Sequence, residues 1–373
     1  MKKNICCISI NSVAHVDFGG NGFVKLAAEL GKDADVTWFL SCGNSIDKTD
    51  TEQKLKQFGL QVIHKSGEDS SSKSGIDVAT DTLLLGLLET QKFDLVLLDR
   101  ILKPVQTLLE KRCIPFIVVG SDGEKWHRAY HRTTGNLFIT KSASARTIVK
   151  RDLWAHSSLL NLNFMPREYY NAKNAYTIDA DKKNADTKTA LSAAQYILVT
   201  FGNSMSDAAC WRVFNVIKEA SCISKHPYLL LTGNRVFSES MADIASRIDN
   251  LQVRAWQDYD QAFSHAIISI GHGGTAFVWY SIKHRIPMIS IPLLADQLYN
   301  AKQNIRLGIG NTLYMSIRPR IMRFFSSRYL NSKNLVKHQE QLINHANFTE
   351  LSYDAPDMAS AAAKIKSLMG WCE

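Results

Sequence analysis

Short apolar runs alternate with amphipathic stretches along most of the chain. Runs rich in Val, Ile and Leu are typical of strands that are buried on both faces of a parallel sheet. The predicted strands are NICCISI, DVTWFL, DLVLLD, PFIVVG, LFITK, YILVTFG, PYLLLTG, LQVRAW, AIISIG and PMISIP. The predicted helices are GFVKLAAELGK, VQTLLEKR, CWRVFNVIKEASC and LYNAKQNIRLG. This alternation predicts an α/β protein whose parallel sheets are covered by helices on both faces.

The alternation pauses at residues 166–190, where the sequence is polar and charged and shows no apolar period. This composition is typical of a linker between domains. We therefore predict two α/β domains, residues 1–165 and residues 191–345. The last segment, residues 346–373, contains APDMASAAAKIKSLMGW and predicts a helical tail.

The composition narrows the class of protein. The chain has 373 residues, of which 45% are hydrophobic and 21% charged, so it can fill two cores and is not disordered. Its formal net charge is +9, which fits a nucleic acid, a membrane surface or an acidic ligand. Since the chain has no zinc-finger spacing, no aromatic RNA-binding strand and no long Lys/Arg run, we do not expect a nucleic-acid partner.

The cysteines and the apolar runs indicate the compartment. The seven cysteines are odd in number and form no C-x-x-C pair, so we expect reduced, buried thiols. The run in MKKNICCISINS is too short for a signal peptide, and no stretch approaches the roughly 20 apolar residues of a spanning helix. We therefore expect a cytoplasmic protein.

The basic and aromatic segment 318–333 is either a solvated helix face or a weak contact with an anionic membrane.

Polar residues and glycines follow the ends of the predicted strands. Because ligands bind at the carboxyl ends of strands in open α/β sheets, these residues are candidates for a site. They are Asn11, Ser12, His15, Asp99, Gly120 to Gly123, Thr200, Gly202, Asn203, Ser204, Gly233, Asn234, Gly271 to Thr275, Asp296 and Gln297. We expect the edges of the two sheets to face each other across a cleft and to form one active site.

The run Gly271-His272-Gly273-Gly274-Thr275 lies where a predicted helix begins. Glycines let a ligand approach the backbone, and the unpaired N–H groups at a helix start favour an anion. His272 adds a further donor. The run therefore predicts an anion site, and a tight turn with a surface histidine is the alternative.

His127 and His131 lie four residues apart, a spacing that can bind a metal on one helix face. Two histidines alone do not make a metal site, so we do not expect one here. Contact with an acceptor molecule is the better functional interpretation, and a surface position is the alternative.

The segment VRAWQDYDQAFSHAIISIGHGGTAFVWYSIKHRIPMISIPLLADQLYNA resembles the C-terminal signature of family 1 glycosyltransferases, which use nucleotide sugars. The shared order is a Trp near a strand end, His-Gly-Gly, a helix, an X-Pro turn, a strand, Asp-Gln and Asn-Ala. The N-terminal half matches the family only in outline. The resemblance implies the GT-B fold, in which two Rossmann-like, doubly wound domains face each other across a cleft.

The resemblance also implies a set of donor-binding residues. They are Thr200, Gly202, Asn203, Ser204, Trp256, His272, Gly273, Gly274, Thr275, Tyr280, Asp296 and Gln297. His272 would bind a donor phosphate together with the backbone N–H groups that follow it, and Trp256 would flank the nucleobase. Asp296 and Gln297 would hold sugar hydroxyls, since a carboxylate accepts hydrogen bonds and an amide both donates and accepts them.

The resemblance also implies a catalytic pair in the N-terminal domain. The resemblance implies that His15 is the general base and that Asp99 orients it and stabilises its charge. A structural or surface histidine and a helix-capping aspartate are the alternatives.

The chain departs from the family pattern at three places. Tyr280 stands where many members have a Glu that binds both ribose hydroxyls, so either the ribose is held elsewhere or the donor is a dTDP-sugar. Arg285 stands where a glycine precedes the X-Pro turn, and Asp258-Tyr259 stands for Pro-Gln. We therefore identify the chain as a divergent member.

These features lead us to expect an inverting glycosyltransferase that needs no metal or other cofactor. It would transfer a sugar from a UDP- or dTDP-sugar to a small-molecule acceptor, such as a natural product. The alternatives are a cell-envelope precursor transferase, a nucleotide-sugar epimerase, and a non-catalytic partner protein of the same fold. The sequence indicates neither the acceptor nor the oligomeric state.

Overall fold

A computed structural model provides the structure of the chain. The described residues are 2–10, 22–41, 48–64, 82–100, 102–120, 155–166, 169, 175–178, 195–202, 205–233, 235–293, 295–315, 326–349, 351 and 355–371. The chain divides into two compact units. Unit 1 comprises Met1–His131, Ile139–Asp186 and Ser352–Glu373, and unit 2 comprises Arg132–Phe138 and Thr187–Leu351.

Unit 1 is built on a parallel sheet. Its strands are β1 (Lys3–Ile10), β2 (Ala34–Ser41), β3 (Gln61–His64), β4 (Leu95–Asp99), β5 (Phe116–Val119), β6 (Asn161–Asn163) and β7 (Tyr176–Thr177). Its helices are α1 (Phe23–Leu30), α2 (Lys48–Gln57), α3 (Thr82–Thr90), α4 (Lys103–Lys111) and a further helix near the end of the chain. The strand order is β3-β2-β1-β4-β5-β6-β7.

Unit 2 repeats this plan with a second parallel sheet. Its strands are β8 (Tyr196–Thr200), β9 (Tyr228–Leu231), β10 (Leu251–Arg254), β11 (Ala266–Gly271), β12 (Met288–Ser290) and β13 (Gly310–Thr312), in the order β10-β9-β8-β11-β12-β13. Its helices are α5 (Asp207–Ile223), α6 (Ser238–Ala245), α7 (Tyr259–Ser264), α8 (Thr275–Lys283), α9 (Ala295–Arg306) and α10 (Ser332–His345). The last helix of the chain, α11 (Met358–Leu368), belongs to unit 1. The predicted doubly wound α/β architecture is confirmed.

The apolar runs are strands because both faces of each sheet are covered. In unit 1, Val96 and Leu98 of β4 pack in one cluster with Leu84 of α3. On β2, Trp38 packs against Phe23 of α1, with ring centroids 4.6 Å apart. A strand between two helical layers buries every side chain, which produces a continuous apolar run.

The sequence predicted buried, reduced thiols, and only some of the free cysteines are buried. Cys6, Cys7 and Cys210 are free and buried, as expected, and burial raises the pKa of each of these thiols. Cys113 and Cys222 are free but exposed, so the expectation of buried thiols is wrong for them. Cys113 lies in the turn after α4, and Cys222 lies in the last turn of α5.

Helix α1 begins against a buried aromatic ring. A methyl group at Gly22 would come within 2.6 Å of the Phe164 ring, so only glycine lets the chain enter α1 at this point. The contact fixes the start of the helix that follows β1 in sequence.

The C-terminal helix α11 packs on α1. Ile365 is fully buried, and Ala361 and Ala362 are almost so. Lys366 of this helix pairs with Asp33, which lies just after α1. The tail therefore stabilises unit 1 through both apolar and ionic contacts.

We expect Ile365→Ala to lower the free energy of unfolding of unit 1 by about 2–5 kcal/mol, since it leaves a cavity between α11 and α1. Leu368→Ala on the same helix is the matched control, because Leu368 is 42% exposed. Urea unfolding of the full chain measures both variants. A loss for Ile365→Ala that is no larger than the loss for Leu368→Ala would contradict the prediction.

No helix in the described ranges is long and apolar enough to cross a membrane.

Candidate functional site

The strand order of unit 2 defines a crevice between β8 and β11. Strands β9 and β10 extend the sheet to one side of β8, while β12 and β13 extend it to the other side of β11. In such sheets a ligand binds outside the carboxyl ends of the two strands at which the order reverses. Thr200 ends β8 and Gly271 ends β11, so Gly202 and His272, which follow them closely, meet at this crevice.

The His272 ring lies between two glycines of the crevice. A methyl group at Gly202 would lie 1.9 Å from Cε1 of His272, and one at Gly274 would lie 2.4 Å from its Nε2. No real side chain tolerates such distances, so glycine at both positions leaves room for the ring. The structure thus brings together Gly202, His272 and Gly274, which the sequence analysis placed in one donor site.

The turn after His272 is held by a side chain of α9. Gly273 has a φ of 82°, which favours glycine, and its carbonyl oxygen accepts a hydrogen bond of 2.8 Å from Nδ2 of the buried Asn300. Because C=O and N–H point in opposite directions across a trans peptide, the Gly274 N–H points away from Asn300. Gly274 is the N-cap of α8 and has no side chain to cap the helix, so the first N–H groups of α8 suit an anion.

His272 is neutral and carries a polar atom without a partner. Its Nδ1 is buried and has no hydrogen-bond partner among the described residues. Desolvation by burial lowers the pKa of His272 to about 4. A buried polar atom without a partner is rare in native proteins and indicates a ligand or an ordered water.

The neutral state of His272 predicts a pH dependence of stability. Since burial holds its pKa at about 4, below the ordinary 6.5, the unfolded chain binds more protons between these values. The free energy of unfolding should therefore fall as the pH is lowered from about 6.5 to about 4. We expect His272→Gln to reduce this fall, as measured by urea unfolding at several pH values. His345→Gln, at an exposed site on α10, should keep the wild-type dependence, and an unchanged slope for His272→Gln would contradict the prediction.

The predicted sugar-binding pair lies at the start of α9. Gln297 is buried, and its Oε1 accepts a hydrogen bond of 2.8 Å from the backbone N of Leu293. This contact fixes the turn between β12 and α9. Asp296 lies in the first turn of α9, but its side chain lies outside the described part. Contact of either residue with a sugar stays a prediction.

Trp256 lies in the loop between β10 and α7 and is 66% exposed. An exposed indole can stack on a planar ligand, so the exposure of this large aromatic side chain fits a role in binding. The loop follows the carboxyl end of β10, on the same edge of the sheet as His272. The nucleobase contact stays a prediction.

Tyr280 packs within an aromatic cluster. Its ring stacks on Phe263, with centroids 5.5 Å apart, and meets Tyr259 edge to face at 5.7 Å. Burial raises the pKa of the Tyr259 hydroxyl and the nearby Thr200 side chain lowers it, so the cluster reaches the end of β8. Packing within this cluster accounts for the position of the Tyr280 ring, and a ligand contact stays a prediction.

Arg285 departs from the family pattern at a strained position. Its φ is 54°, in the left-handed region, which costs a non-glycine residue about 1–2 kcal/mol. The glycine of the family signature fits this conformation without that cost. Arg285 therefore adopts a backbone conformation that glycine adopts more readily.

The reversal point of the unit 1 sheet lies between β1 and β4. Asp99 ends β4 and is buried, and residues 11–21, which include His15, follow the end of β1. Their strands are neighbours, as a His15–Asp99 pair requires, and the contact itself stays a prediction. Several other predicted residues lie outside the described part of the chain, namely Asn203, Ser204, His127, His131 and residues 318–325 of the segment 318–333. Within the described part, no group of three His, Cys, Asp or Glu residues could hold a metal ion.

Two residues that bind the backbone of this site were not predicted from the sequence. Asn300 is the Asn of the Asn-Ala pair in the signature, so the motif contained a signal for it. Arg235 donates from Nη2 to the Gly202 carbonyl oxygen at 2.9 Å, and no motif pointed to it.

Part of unit 2 is similar to a known protein family. Residues 250–318, which contain the Gly271–Thr275 turn, match the family model for UDP-glucoronosyl and UDP-glucosyl transferase. The resemblance to this family is confirmed. A zeaxanthin glucosyltransferase of Pantoea ananas is 27% identical over 138 residues, which cover 37% of this chain and 29% of that enzyme's length.

Solved glycosyltransferases share the fold. The calicheamicin glycosyltransferase CalG4 has a TM-score of 0.71 at 14% identity, covering 99% of this chain and 98% of CalG4. The glycosyltransferase VinC, solved in complex with dTDP, has a TM-score of 0.60 at 14% identity, covering 99% of this chain and all of VinC. At such identities the likeness shows the fold alone, and that fold is the predicted two-domain α/β fold of GT-B enzymes.

Proposed function

We propose that the chain is a glycosyltransferase that moves a sugar from a nucleoside diphosphate sugar to a small-molecule acceptor. The observation that carries the proposal is the neutral His272 ring, held between Gly202 and Gly274 with a buried Nδ1 that lacks a partner in the described structure. The ring stands beside the uncapped start of α8, at the reversal point of a sheet. A diphosphate supplies acceptor oxygens to the ring and to the helix N–H groups together.

The transfer step would invert the configuration at the anomeric carbon of the sugar and would need no metal ion. His15 takes the proton of the acceptor hydroxyl while the acceptor oxygen forms a bond to the anomeric carbon. The bond from that carbon to the diphosphate oxygen breaks, and its electron pair leaves with the diphosphate. Asp99 stabilises the imidazolium that forms on His15. His272 and the start of α8 stabilise the charge that develops on the leaving group.

The donor would be a dTDP- or UDP-sugar. The family name points to uridine, while VinC binds dTDP. A phenol cannot accept from two ribose hydroxyls at once, and Tyr280 replaces the carboxylate that does so in many members. This replacement favours a dTDP-sugar, because its deoxyribose lacks the 2′-hydroxyl. The names of the carotenoid enzyme and of the calicheamicin enzyme favour a natural-product acceptor.

A transfer assay tests this function. The chain is incubated with UDP-glucose or dTDP-glucose and a panel of hydroxylated acceptors, including phenols, carotenoid alcohols and macrolides. We expect glycosylated product by mass spectrometry, in step with release of the nucleoside diphosphate, and a β-linkage from the α-linked donor by NMR. Retained α-configuration would refute the inverting mechanism. Sugar turnover without an acceptor would favour an epimerase or a hydrolase, and no turnover of any donor would favour a non-catalytic protein.

A further inference from the structure

The predicted donor site lacks a full positive charge among the residues assigned to it. His272 is neutral near pH 7, because burial lowers its pKa to about 4. The start of α8 contributes about half an elementary charge. A sugar diphosphate carries two negative charges, and the diphosphate gains a third when the sugar departs. A cation close to the crevice would therefore stabilise the leaving group.

Arg235 places a guanidinium beside the crevice. It follows β9, the neighbour of β8, and its Nη2 donates to the Gly202 carbonyl oxygen at 2.9 Å. Gly202 contacts the His272 ring directly, since a methyl group at this glycine would lie 1.9 Å from Cε1 of the ring. Arg235 and His272 thus contact the same glycine.

The contacts of Arg235 leave donors for a ligand. Its Nη1 donates to Oδ1 of Asp207 at 3.1 Å, and its guanidinium lies 5.8 Å from the centroid of the Phe237 ring. A guanidinium has five N–H donors, and these contacts with described residues use two of them. The Asp207 side chain is 75% exposed, and ion pairs with so exposed a partner are weak. The guanidinium can therefore exchange this partner for a more negative one.

We propose that Arg235 is a diphosphate-binding residue of the donor site. Without donor it pairs with Asp207 and holds the Gly202 carbonyl, and with donor it turns its remaining N–H groups to the phosphate oxygens. A planar guanidinium suits this contact because it can bind two phosphate oxygens at once. The inference rests on the proposed function, since it assigns a further ligand to the same nucleotide.

Titration calorimetry with dTDP, dTMP, UDP and UMP tests the role of Arg235. Comparing diphosphates with monophosphates distinguishes two roles for Arg235. A residue that binds the second phosphate affects mainly the diphosphates, whereas a residue that only shapes the site affects both kinds of nucleotide alike. Because hydrogen bonds to charged groups contribute about 1.5–3 kcal/mol, Arg235→Gln should weaken diphosphate binding about 10- to 150-fold. Monophosphate binding should change less, so the ratio of the two affinities should fall. Arg235→Lys keeps the charge but not the planar fork, and it should show an intermediate loss.

Two control variants accompany the titration. Asp207→Asn removes the partner of Arg235 and should leave diphosphate affinity unchanged or increase it. Arg254→Gln removes a cation that ends β10 and bonds to Gln252 and Gln257, and it should leave the affinity ratio unchanged. An Arg235→Gln chain with the wild-type ratio would overturn the inference while the proposed function stands. A wild-type chain that binds none of the four nucleotides would overturn both.

Discussion

His15→Ala is expected to lower the turnover number at least about 10²- to 10⁴-fold and to leave the affinity for the nucleoside diphosphate unchanged. General-base help typically contributes this much, and His15 would act on the acceptor and not on the nucleotide. Initial rates at saturating donor, together with calorimetric titration of dTDP and UDP, measure the two quantities separately. The residue follows β1, whose neighbour β4 ends in Asp99.

A second histidine of unit 1 provides the control for this variant. His156 is exposed, and its described contact is a backbone hydrogen bond to Oε1 of Gln106. His156→Ala should therefore keep the wild-type turnover. Asp99→Asn should lower turnover as well, since the amide cannot compensate the charge of the imidazolium. Unchanged turnover in the His15 variant would remove this residue from the mechanism.

Gly202→Ala is expected to weaken nucleotide binding as strongly as His272→Ala does, because the new methyl group would occupy the place of the ring. The methyl group would lie 1.9 Å from Cε1 of His272, so the ring must leave its position. Loss of a charge-assisted hydrogen bond of this kind corresponds to about a 10- to 150-fold loss of affinity. Titration calorimetry with the preferred nucleoside diphosphate measures the loss.

A double variant and a second glycine test this explanation. The double variant Gly202→Ala/His272→Ala should bind no more weakly than either single variant, since both changes remove the same contact. Gly86→Ala in α3 should leave binding unchanged, because a methyl group there meets nothing within 4 Å. Strictly additive losses in the double variant would show that Gly202 acts independently of His272.

The sequence predicted the fold class because the central strands are apolar along their whole length. Strand β4, Leu95–Asp99, is buried at every position, and its apolar run was recognised. Strands β6 and β13, with the sequences NLN and GNT, were missed because they have no such run. They join their sheets through backbone hydrogen bonds, for which almost any side chain suffices.

The sequence predicted which strand ends carry the site residues, but it did not predict the contacts between those residues. Thr200, Gly202 and His272 were placed at one edge because each follows an apolar run. That His272 touches Gly202 depends on β8 and β11 being neighbours, and no local pattern specifies this pairing. Asn300 and Arg235 act on the carbonyl oxygens of Gly273 and Gly202, and every residue carries such an oxygen. Contacts of this kind leave no signature of their own in a sequence.

The central claim is that the turn around His272 binds a nucleoside diphosphate, and a thermal-shift panel tests it most directly. UDP, dTDP, GDP, ADP and CDP are added to the wild-type chain and to His272→Ala. A ligand at roughly 100 times its dissociation constant adds about 2.7 kcal/mol of stability. We predict that dTDP or UDP raises the unfolding temperature of the wild-type chain and that the shift is lost in the variant. No shift with any nucleotide, or a shift that His272→Ala retains in full, would contradict the claim.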